Sequence, residues 1–362
     1  MPAEHLAARR QSIRQEFMEQ RVDAMLVSAL PNVRYLAGFT GSNAMLLLER
    51  SGKDTLFTDP RYDIRARSES DCIVRISRKS LIHDVVARLK KSAVRKLGFE
   101  RARFGYDSWR FLSENLPKTI KLEPLDALVE KRRMVKSADE IDAIRRSVLL
   151  NSQAFDETLR SLKPANTTEN ALAGELEYRM RLLGAERSSF DTIVASGPRS
   201  ALPHAQPSAE VIGLYDLLLI DMGAFLDGYA SDMTRVAAIG NPSKRLRTMH
   251  RAVLEAQLAT IDSVKSGVTA ASVDRRARQV LAKHGMDRQF VHSTGHGLGL
   301  EIHEPPRLGK RDKTKLEEGM VITIEPGVYF EGYAGIRIED TIVVTRNGCD
   351  VLTPTPKTLM QI

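Results

Sequence analysis

The chain has 362 residues, of which 42% are hydrophobic and 28% charged, a composition that allows a sizeable buried core and excludes a disordered or fibrous protein. The net charge of +8 comes from the first 136 residues, which hold 27 basic and 17 acidic side chains, whereas the remainder holds 27 and 29. Because acidic residues are interspersed in the basic part, the surplus indicates a solvated surface rather than a nucleic-acid footprint, and RNA binding is kept only as a minor alternative.

The cysteine content and the hydropathy pattern bear on the compartment. Cys72 and Cys349 are too few for a disulfide framework and show no C-x-x-C spacing. The first twenty residues carry charges throughout, and no stretch approaches the ~20 apolar residues that a membrane span requires. We therefore expect a cytoplasmic protein with no membrane partner.

The first third alternates helical and extended patterns, which predicts an α/β layer domain. Apolar residues at helical spacing predict helices over 7–20, 81–91 and 109–116, and short apolar runs predict strands over 24–29, 43–48, 55–58 and 96–99. We expect the domain boundary between Leu125 and Ser137, with one domain over residues 1–130 and a second over 137–362. Ser137 and Glu140 have the spacing of a capping box, so a helix should begin there.

The second domain contains two helix pairs. Helices are predicted over 139–162 and 168–183, the latter ended by Gly184, and again over 246–264 and 270–283, the latter ended by Gly285. Strand patterns follow each pair. This order suggests an internal pseudo-two-fold repeat, although the two halves share no residue-level identity.

The most informative segment runs from residue 217 to 239. Two β-type runs flank Asp227-Gly228, a dipeptide suited to a type I′ turn because both residues must adopt positive φ. In that register Asp221 lies opposite Thr234, and Asp232 is its diagonal neighbour on the same face. Two like charges this close in an apolar hairpin predict a cation between them. Either aspartate alone would be read as a turn or strand-edge residue.

Histidines are concentrated in residues 291–304. His292, His296 and His303 lie within twelve residues, interleaved with glycines that let the backbone bend tightly. A single histidine would be read as a structural residue, but this cluster favours metal binding or proton transfer.

Two glutamates lie in runs that are typical of buried strands, Glu325 in MVITIEPGVY and Glu339 in GIRIEDTIVV. Buried carboxylates are seldom unpaired. A structural interpretation remains open for each: an ion pair of Glu339 with Arg337, and a hydrogen-bonded strand end for Glu325 before Pro326.

Four carboxylates and one imidazole thus emerge as candidate ligands, and they are Asp221, Asp232, His296, Glu325 and Glu339. The four negative charges balance two divalent cations, and a set rich in oxygen donors with one nitrogen suits Mn²⁺, Co²⁺, Fe²⁺ or Zn²⁺. A dinuclear centre accounts for all five residues together and would activate water and polarise a carbonyl group.

At these residues the sequence resembles the Xaa-Pro aminopeptidase and prolidase branch of the pita-bread, or creatinase-like, metallopeptidases. The similarity extends over essentially the whole chain. It is carried by NVRYLAGFTGS and TDPRY in the first domain, and by SGPRSALPHAQP, DMGAFLDGYASDMTR, HSTGHGLGLEIHEPP, TIEPGVY and GIRIEDT in the second. The resemblance implies a creatinase-type N-terminal α/β domain followed by a pita-bread catalytic domain with an internal pseudo-two-fold repeat.

The resemblance also implies roles for individual residues. The five candidates named above would bind two metal ions, with Mn²⁺ preferred and Asp232 and Glu339 bridging. His204 would assist proton transfer, His292 and His303 would contact substrate and transition state, and Arg337 would steady the site beside Glu339. A homodimer is implied, with the N-terminal domain limiting access to the cleft.

The expected activity is hydrolysis of the peptide bond before proline in proline-containing peptides, as an Xaa-Pro aminopeptidase. The alternative is an Xaa-Pro dipeptidase, or prolidase, because the chain is shorter than the larger Xaa-Pro aminopeptidases. A non-hydrolytic pita-bread binding protein, a creatinase-like amidinohydrolase and a methionine aminopeptidase are further alternatives. The complete ligand set argues against the first two, and the N-terminal domain argues against the third.

Overall fold

The structure, a computed structural model, describes residues 3–362 and divides them into two compact units, the first ending at Arg133 and the second spanning Met134–Ile362. Each unit combines helices with β-sheets, as the sequence patterns predict. Among the described residues, no helix is both long and apolar enough to cross a membrane. Cys72 and Cys349 are free thiols.

The first unit contains one mixed sheet and six helices. Its elements are α1 (Ala3–Glu19), β1 (Ala24–Val27), α2 (Leu30–Ala37), β2 (Ala44–Glu49), β3 (Thr55–Thr58), α3 (Asp63–Glu69), β4 (Ile73–Ile76), α4 (Leu81–Lys90), β5 (Lys96–Glu100), α5 (Tyr106–Asn115), β6 (Lys121–Leu125) and α6 (Leu128–Met134). The strand order is β4-β3-β2-β1-β5-β6, with β1-β2 and β2-β3 antiparallel and the other pairs parallel. Apolar residues of α4 and of the central strands form its core.

Three short helices of this region were not predicted. The apolar run that begins at Ala24 leaves the sheet after Val27, and Pro31 lies in the first turn of α2, where its missing N–H has no helical partner to lose. Helix α3 also occupies a segment without a clear apolar period. Helix α6 occupies part of the expected boundary between Leu125 and Ser137, so that segment is not an extended linker.

The second unit contains four long helices and fourteen short strands. Its elements are α7 (Ala138–Ser161), α8 (Glu169–Leu182), β7 (Arg187–Ser188), β8 (Ile193–Ser196), β9 (Leu217–Met222), β10 (Ala224–Leu226), β11 (Tyr229–Ala230), β12 (Met233–Ala238), α9 (Lys244–Asp262), α10 (Ala270–Lys283), β13 (Gly295–Gly297), β14 (Glu304–Leu308), β15 (Val321–Ile324), β16 (Gly327–Phe330), β17 (Ala334–Arg337), β18 (Asp340–Val344), β19 (Cys349–Val351) and β20 (Met360–Gln361). The predicted capping box at Ser137 and Glu140 is confirmed at the start of α7.

The strands of this unit form four sheets, ordered β11-β10-β7, β20-β12-β9-β8, β14-β13-β15-β18-β19 and β16-β17. Helices α7 and α8 pack together before the first strands, and α9 and α10 pack together before the later ones. The predicted order of a helix pair followed by strands therefore occurs twice.

Strand β9 is buried on both faces, and its side chains alternate between two cores. Leu217 and Leu219 join residues of α9 and α10 in one core, whereas Leu218 and Ile220 join residues of α7 and α8 in the other. Because successive side chains of a strand point to opposite faces, Asp221 shares the face of Leu217 and Leu219. The alternation thus directs this carboxylate toward the second helix pair.

The predicted hairpin at Asp227-Gly228 is confirmed. Both residues have positive φ, 52° and 77°, as a type I′ turn requires. Leu226 pairs with Tyr229, and further along β9 and β12 Asp221 pairs with Thr234.

Candidate metal centre

All nine candidate site residues line one cavity of the second unit, with a volume of about 900 Å³. They come from five separate stretches of the chain and comprise His204, Asp221, Asp232, His292, His296, His303, Glu325, Arg337 and Glu339. Apolar residues that include Phe190, Ile193 and Pro203 form further parts of the wall. The volume lies within the range of small-molecule and peptide sites.

The two aspartates lie on the buried hairpin. Asp221 is near the end of β9, and Asp232 occupies the short connection between β11 and β12. Both carboxylates are buried. Asp221 Oδ1 is inaccessible to solvent, yet it has no hydrogen-bond partner among the described residues. An unpartnered buried carboxylate oxygen is costly unless a cation completes its surroundings.

The two glutamates occupy strand junctions, which corrects the prediction that each lies within a continuous buried strand. Glu325 follows β15 and precedes β16, and Glu339 follows β17 and precedes β18. At both junctions the chain leaves one sheet for another: β15 and β18 pair in the five-stranded sheet, whereas β16 and β17 pair with each other. The change of sheet interrupts the ladder where the carboxylates face the cavity.

His296 presents one ring nitrogen to these carboxylates. Its Nε2 lies 3.5 Å from Asp232 Oδ2 and 3.5 Å from Glu325 Oε1. Its Nδ1 lies 3.0 Å from the carbonyl oxygen of Gly297, which can only accept, so Nδ1 carries the hydrogen. This hydrogen bond directs Nε2 toward the carboxylates, the orientation in which metal-binding histidines present a ring nitrogen to the metal.

Asp232, His296 and Glu339 each offer one ligand atom within 4.8 Å of the others, a spacing that can hold a metal ion. Thr323 Oγ1 donates to Glu325 Oε1 at 3.3 Å, and Glu325 lies against the same imidazole. The donors are hard oxygens and one imidazole nitrogen, which suit a first-row divalent cation. Together with the unpartnered oxygen of Asp221, this set fits the predicted metal ions.

The electrostatics of the cavity favour a bound cation. Burial raises the pKa of the Asp232 carboxyl well above its usual range, and the nearby Asp221 and Glu325 charges raise that pKa further. Burial and the charge of Asp232 raise the pKa of Glu339 in the same direction, and burial also raises the pKa of Glu325. These groups resist ionising side by side, so a metal ion that replaces their protons relieves an unfavourable arrangement.

Arg337 pairs with Asp221 and not with Glu339, so the ion pair considered for Glu339 is absent from the described residues. Arg337 Nη2 lies 2.5 Å from Asp221 Oδ2. Its Nε donates to Thr234 Oγ1 at 3.0 Å, and that hydroxyl donates to Glu339 Oε2 at 2.7 Å. Thr234, which sequence reasoning used only to define the hairpin register, thus connects the arginine to the glutamate.

Tyr329 is a second residue that sequence reasoning missed, although it ends a segment that was singled out. Arg337 Nη1 donates to Tyr329 Oη at 2.6 Å, and Tyr329 Oη lies 3.0 Å from His292 Nε2. His292 Nδ1 faces the carbonyl of Ser293 at 2.8 Å, so Nδ1 carries the hydrogen and Nε2 accepts from the tyrosine. Burial raises the pKa of Tyr329 to about 12, which keeps it a donor.

Both ring nitrogens of His292 are therefore occupied within the protein. Burial lowers the pKa of His292 to about 4, and the charge of Arg337 acts in the same direction. The ring is neutral near pH 7 and belongs to a chain of hydrogen bonds that begins at Arg337.

The other two histidines are more exposed. The imidazole of His204 forms no hydrogen bond with the residues that the structure describes, and it lines the cavity. His303 packs edge-on against His296, with ring centroids 4.4 Å apart. Burial lowers the pKa of His303, and the neighbouring His296 adds to that effect.

One cation on the cavity wall was not among the candidates. Arg307 on β14 is exposed, and its Nε donates to Ser293 Oγ at 3.3 Å. Asp312 Oδ2 accepts a hydrogen bond from the backbone N–H of Arg307 at 3.1 Å, but the guanidinium itself forms no ion pair among residues 3–362. It is available to an anionic group of a ligand.

Comparison with known proteins identifies two matching family descriptions. Residues 142–346 match metallopeptidase family M24, and residues 9–135 match the creatinase/prolidase N-terminal domain. The first match covers the whole candidate centre. The second covers most of the first unit.

Individual relatives cover nearly the whole chain. The Xaa-Pro dipeptidase of Pyrococcus horikoshii is 37% identical over 348 residues, which are 95% of this chain and 97% of the relative. The solved structure of an Xaa-Pro dipeptidase from Bacillus anthracis is 38% identical, with a TM-score of 0.95 over 99% of this chain and 100% of that one. The structure of an X-Pro aminopeptidase from Thermotoga maritima MSB8 is 36% identical, with a TM-score of 0.91 over 98% and 99%.

Proposed function

The chain belongs to metallopeptidase family M24, and on that premise we propose that it is a metal-dependent Xaa-Pro dipeptidase, a hydrolase of the peptide bond before a C-terminal proline. The dipeptidase was the alternative in the sequence analysis. It now takes precedence over the aminopeptidase because several relatives that match most of the chain bear dipeptidase names. The aminopeptidase remains the second candidate because one similar structure carries that name.

The observation that carries the proposal is the convergence of nine predicted residues on one cavity around the group of Asp232, His296 and Glu339. This arrangement unites buried carboxylates of raised pKa with an imidazole of the correct orientation. A non-hydrolytic binding protein would have no need of so costly a set of buried charges.

We assign Asp221, Asp232, His296, Glu325 and Glu339 to two divalent metal ions, with Mn²⁺ preferred and Co²⁺, Zn²⁺ or Fe²⁺ as alternatives. A second ion is supported by Asp221, which lies outside the group of three that meet within 4.8 Å yet has an unpartnered buried oxygen. When bound, such ions supply Lewis acidity that polarises a carbonyl group and lowers the pKa of water.

The side chains of the protein hold and orient this centre. Arg337 neutralises part of the carboxylate charge at Asp221 and, through Thr234, orients the carboxylate of Glu339. Tyr329 keeps His292 in one tautomer, so that histidine acts by shaping the site in its neutral form. His204, which has no hydrogen-bond partner in the described structure, is the residue we assign to proton transfer to the leaving proline nitrogen. His303 is assigned to substrate contact.

Arg307 supports the dipeptidase over the aminopeptidase. In a dipeptide the proline carries a free carboxylate, whereas in a longer peptide that carboxyl group is part of the next peptide bond. A guanidinium on the cavity wall without an acidic partner suits a carboxylate, to which arginine donates two parallel hydrogen bonds. The peptide would then be held at its charged end.

Several finer assignments remain proposals. We propose an N-terminal creatinase-like domain over residues 1–130 and a catalytic domain over 137–362. The two family matches support this division because one ends at residue 135 and the other begins at residue 142. A homodimer follows from the family resemblance. A cytoplasmic location is supported by the two free cysteines.

The test compares hydrolysis of Gly-Pro and Ala-Pro-Phe after loading with Mn²⁺, Co²⁺ or Zn²⁺ and measurement of bound metal. We expect release of proline from Gly-Pro to be faster, two ions per chain, and loss of both in Asp232→Asn. Arg307→Met should raise KM for Gly-Pro by at least about tenfold while leaving hydrolysis of Ala-Pro-Phe nearly unchanged, because it removes one charge-assisted contact. Faster hydrolysis of Ala-Pro-Phe would show that the protein is an aminopeptidase. Absence of hydrolysis of both peptides would contradict a peptidase function.

A further inference from the structure

Glu169 is a buried carboxylate that does not line the cavity, yet it holds the segment that bears His204. The segment, residues 196–208, is named here the His204 segment. Glu169 lies at the start of α8, is fully buried, and accepts five hydrogen bonds from this segment. The donors are the backbone N and Oγ of Ser196, Nε of Arg199, and the backbone N and Oγ of Ser208, at distances of 2.7 to 3.1 Å. Both ends of the segment therefore meet on one side chain.

Asp274 has the same relation to the segment that bears His292, residues 290–294, named here the His292 segment. It is buried on α10, and its Oδ1 accepts from the backbone N and Oγ1 of Thr294 at 3.2 and 2.8 Å. Its partner Arg278 donates in turn to the carbonyl oxygens of Phe290 and His292. The carboxylate and the arginine thus fasten both ends of this segment.

The two arrangements share features without occupying equivalent positions, since Glu169 directly follows its helix N-cap and Asp274 lies one turn further along its helix. Each carboxylate lies on the second helix of a helix pair, α8 or α10, each of these helices has a threonine N-cap, and each carboxylate is paired with an arginine. Charge-assisted hydrogen bonds are stronger than neutral ones, and a buried N–H that loses its acceptor is costly. Each carboxylate is therefore suited to restrict one segment without touching the ligand cavity.

We propose that Glu169 and Asp274 are a pair of positioning residues, one for each half of the repeat, which separately hold His204 and His292 in place. This inference rests on the proposed function for the roles of the two histidines, proton transfer for His204 and shaping of the site for His292, but the restriction of each segment is a property of the protein alone. The restriction therefore has a readout that does not need turnover.

Amide hydrogen exchange of the whole metal-free chain tests the restriction directly. Glu169→Gln should raise exchange in the His204 segment by about tenfold or more and leave the His292 segment within about twofold, because only the hydrogen bonds of the first are weakened. Asp274→Asn should give the reverse pattern. Equal changes in both segments, or none in either, would overturn the proposal.

Milder variants keep the test valid should a carboxylate replacement fail to fold. Ser208→Ala removes one hydroxyl donor to Glu169, and Thr294→Val removes one hydroxyl donor to Asp274 with little change in shape. The same segment-specific increases are expected. Ser208→Thr and Thr294→Ser retain a hydroxyl and should restore the exchange of the unaltered protein, and failure of both to do so would contradict the assignment of these hydrogen bonds.

Double-mutant cycles test whether each carboxylate acts through its own histidine, with turnover of Gly-Pro by the metal-loaded protein as the measurement. Glu169→Gln should lower kcat about tenfold in the otherwise unaltered protein. In the His204→Ala variant the same substitution should lower kcat less than about twofold, whereas in the His292→Ala variant it should again lower kcat about tenfold. Asp274→Asn should show the opposite dependence. Effects that multiply independently in every background would mean that the carboxylates do not act through these histidines. Absence of Gly-Pro hydrolysis in the unaltered protein would reject the proposed function, while the exchange experiment would still decide the positioning role.

Discussion

Arg337 and Asp221 form a buried ion pair across the cavity wall, with Nη2 2.5 Å from Oδ2, while the other oxygen of Asp221 has no hydrogen-bond partner. The arginine is thus committed to one oxygen, and the second is left for a cation. The same guanidinium reaches Thr234 and Tyr329, so a single side chain supports two aspects of the site: the orientation of Glu339 and the tautomer of His292.

Arg337→Met should destabilise the metal-free protein by about 3–5 kcal/mol, because it leaves the buried Asp221 carboxylate without its counter-charge. Urea unfolding in the presence of a chelator measures this loss. Arg346→Met is a matched control, since its exposed guanidinium lies 3.8 Å from Glu318, and it should cost less than about 1 kcal/mol. Comparable losses in the two variants would show that burial of the Arg337 pair is unimportant.

Removal of metal should lower the free energy of unfolding at neutral pH. The carboxylates of Asp232, Glu325 and Glu339 then face one another without a cation, and their raised pKa values reflect that cost. Adding Mn²⁺ at 100 times its dissociation constant should restore about 2.7 kcal/mol. Thermal unfolding with and without chelator checks this, and the chelator should have no effect on Asp232→Asn/Glu339→Gln. An equal chelator effect in that double variant would contradict the ligand assignment.

Gly295→Ala should disrupt the centre through the backbone. A Cβ at this position would lie 2.0 Å from the carbonyl oxygen of Thr323, so the strand that carries His296 must shift. We expect a loss of roughly 1–3 kcal/mol and reduced metal content. Gly174→Ala, in the interior of α8, has no heavy atom within 4 Å of the added Cβ and should instead stabilise the protein by about 0.5–1 kcal/mol. Unfolding curves and metal analysis of the two variants test these opposite expectations.

His250 should make stability depend on pH away from the metal centre. Burial lowers the pKa of this histidine below its ordinary value of 6.5, and its Nε2 donates to the carbonyl oxygen of Lys357 at 3.0 Å. Between the lowered pKa and 6.5 the unfolded chain binds a proton that the folded protein does not. The free energy of unfolding should therefore fall as pH drops below 6.5, by at most about 1.4 kcal/mol per pH unit.

The comparison variant for this effect is His250→Gln, which keeps an N–H donor but does not titrate. Its free energy of unfolding, measured in urea between pH 7.5 and 5, should decline less steeply than that of the unaltered protein. Parallel curves for the two proteins would show that His250 does not contribute.

Local pattern was sufficient for much of the fold. The capping box at Ser137, the helices that end before Gly184 and Gly285, and the turn at Asp227-Gly228 depend on contacts within a few residues, so the sequence predicts them correctly. Helix α2 was missed because a proline after an apolar run is compatible with the end of a strand and equally with the first turn of a helix. Only packing distinguishes the two outcomes.

The site likewise has features that the sequence predicts and features that only the tertiary structure decides. The residue types and the hairpin period were enough to single out the carboxylates and His296, because burial of like charges is physically unreasonable without a cation. The sequence could not show that Arg337 pairs with Asp221, that Tyr329 donates to His292, or that Glu325 and Glu339 lie where the chain changes sheets. Those relations join segments that are distant in the sequence or depend on side-chain direction, and such contacts are decided only when the strands and helices of the second unit pack together.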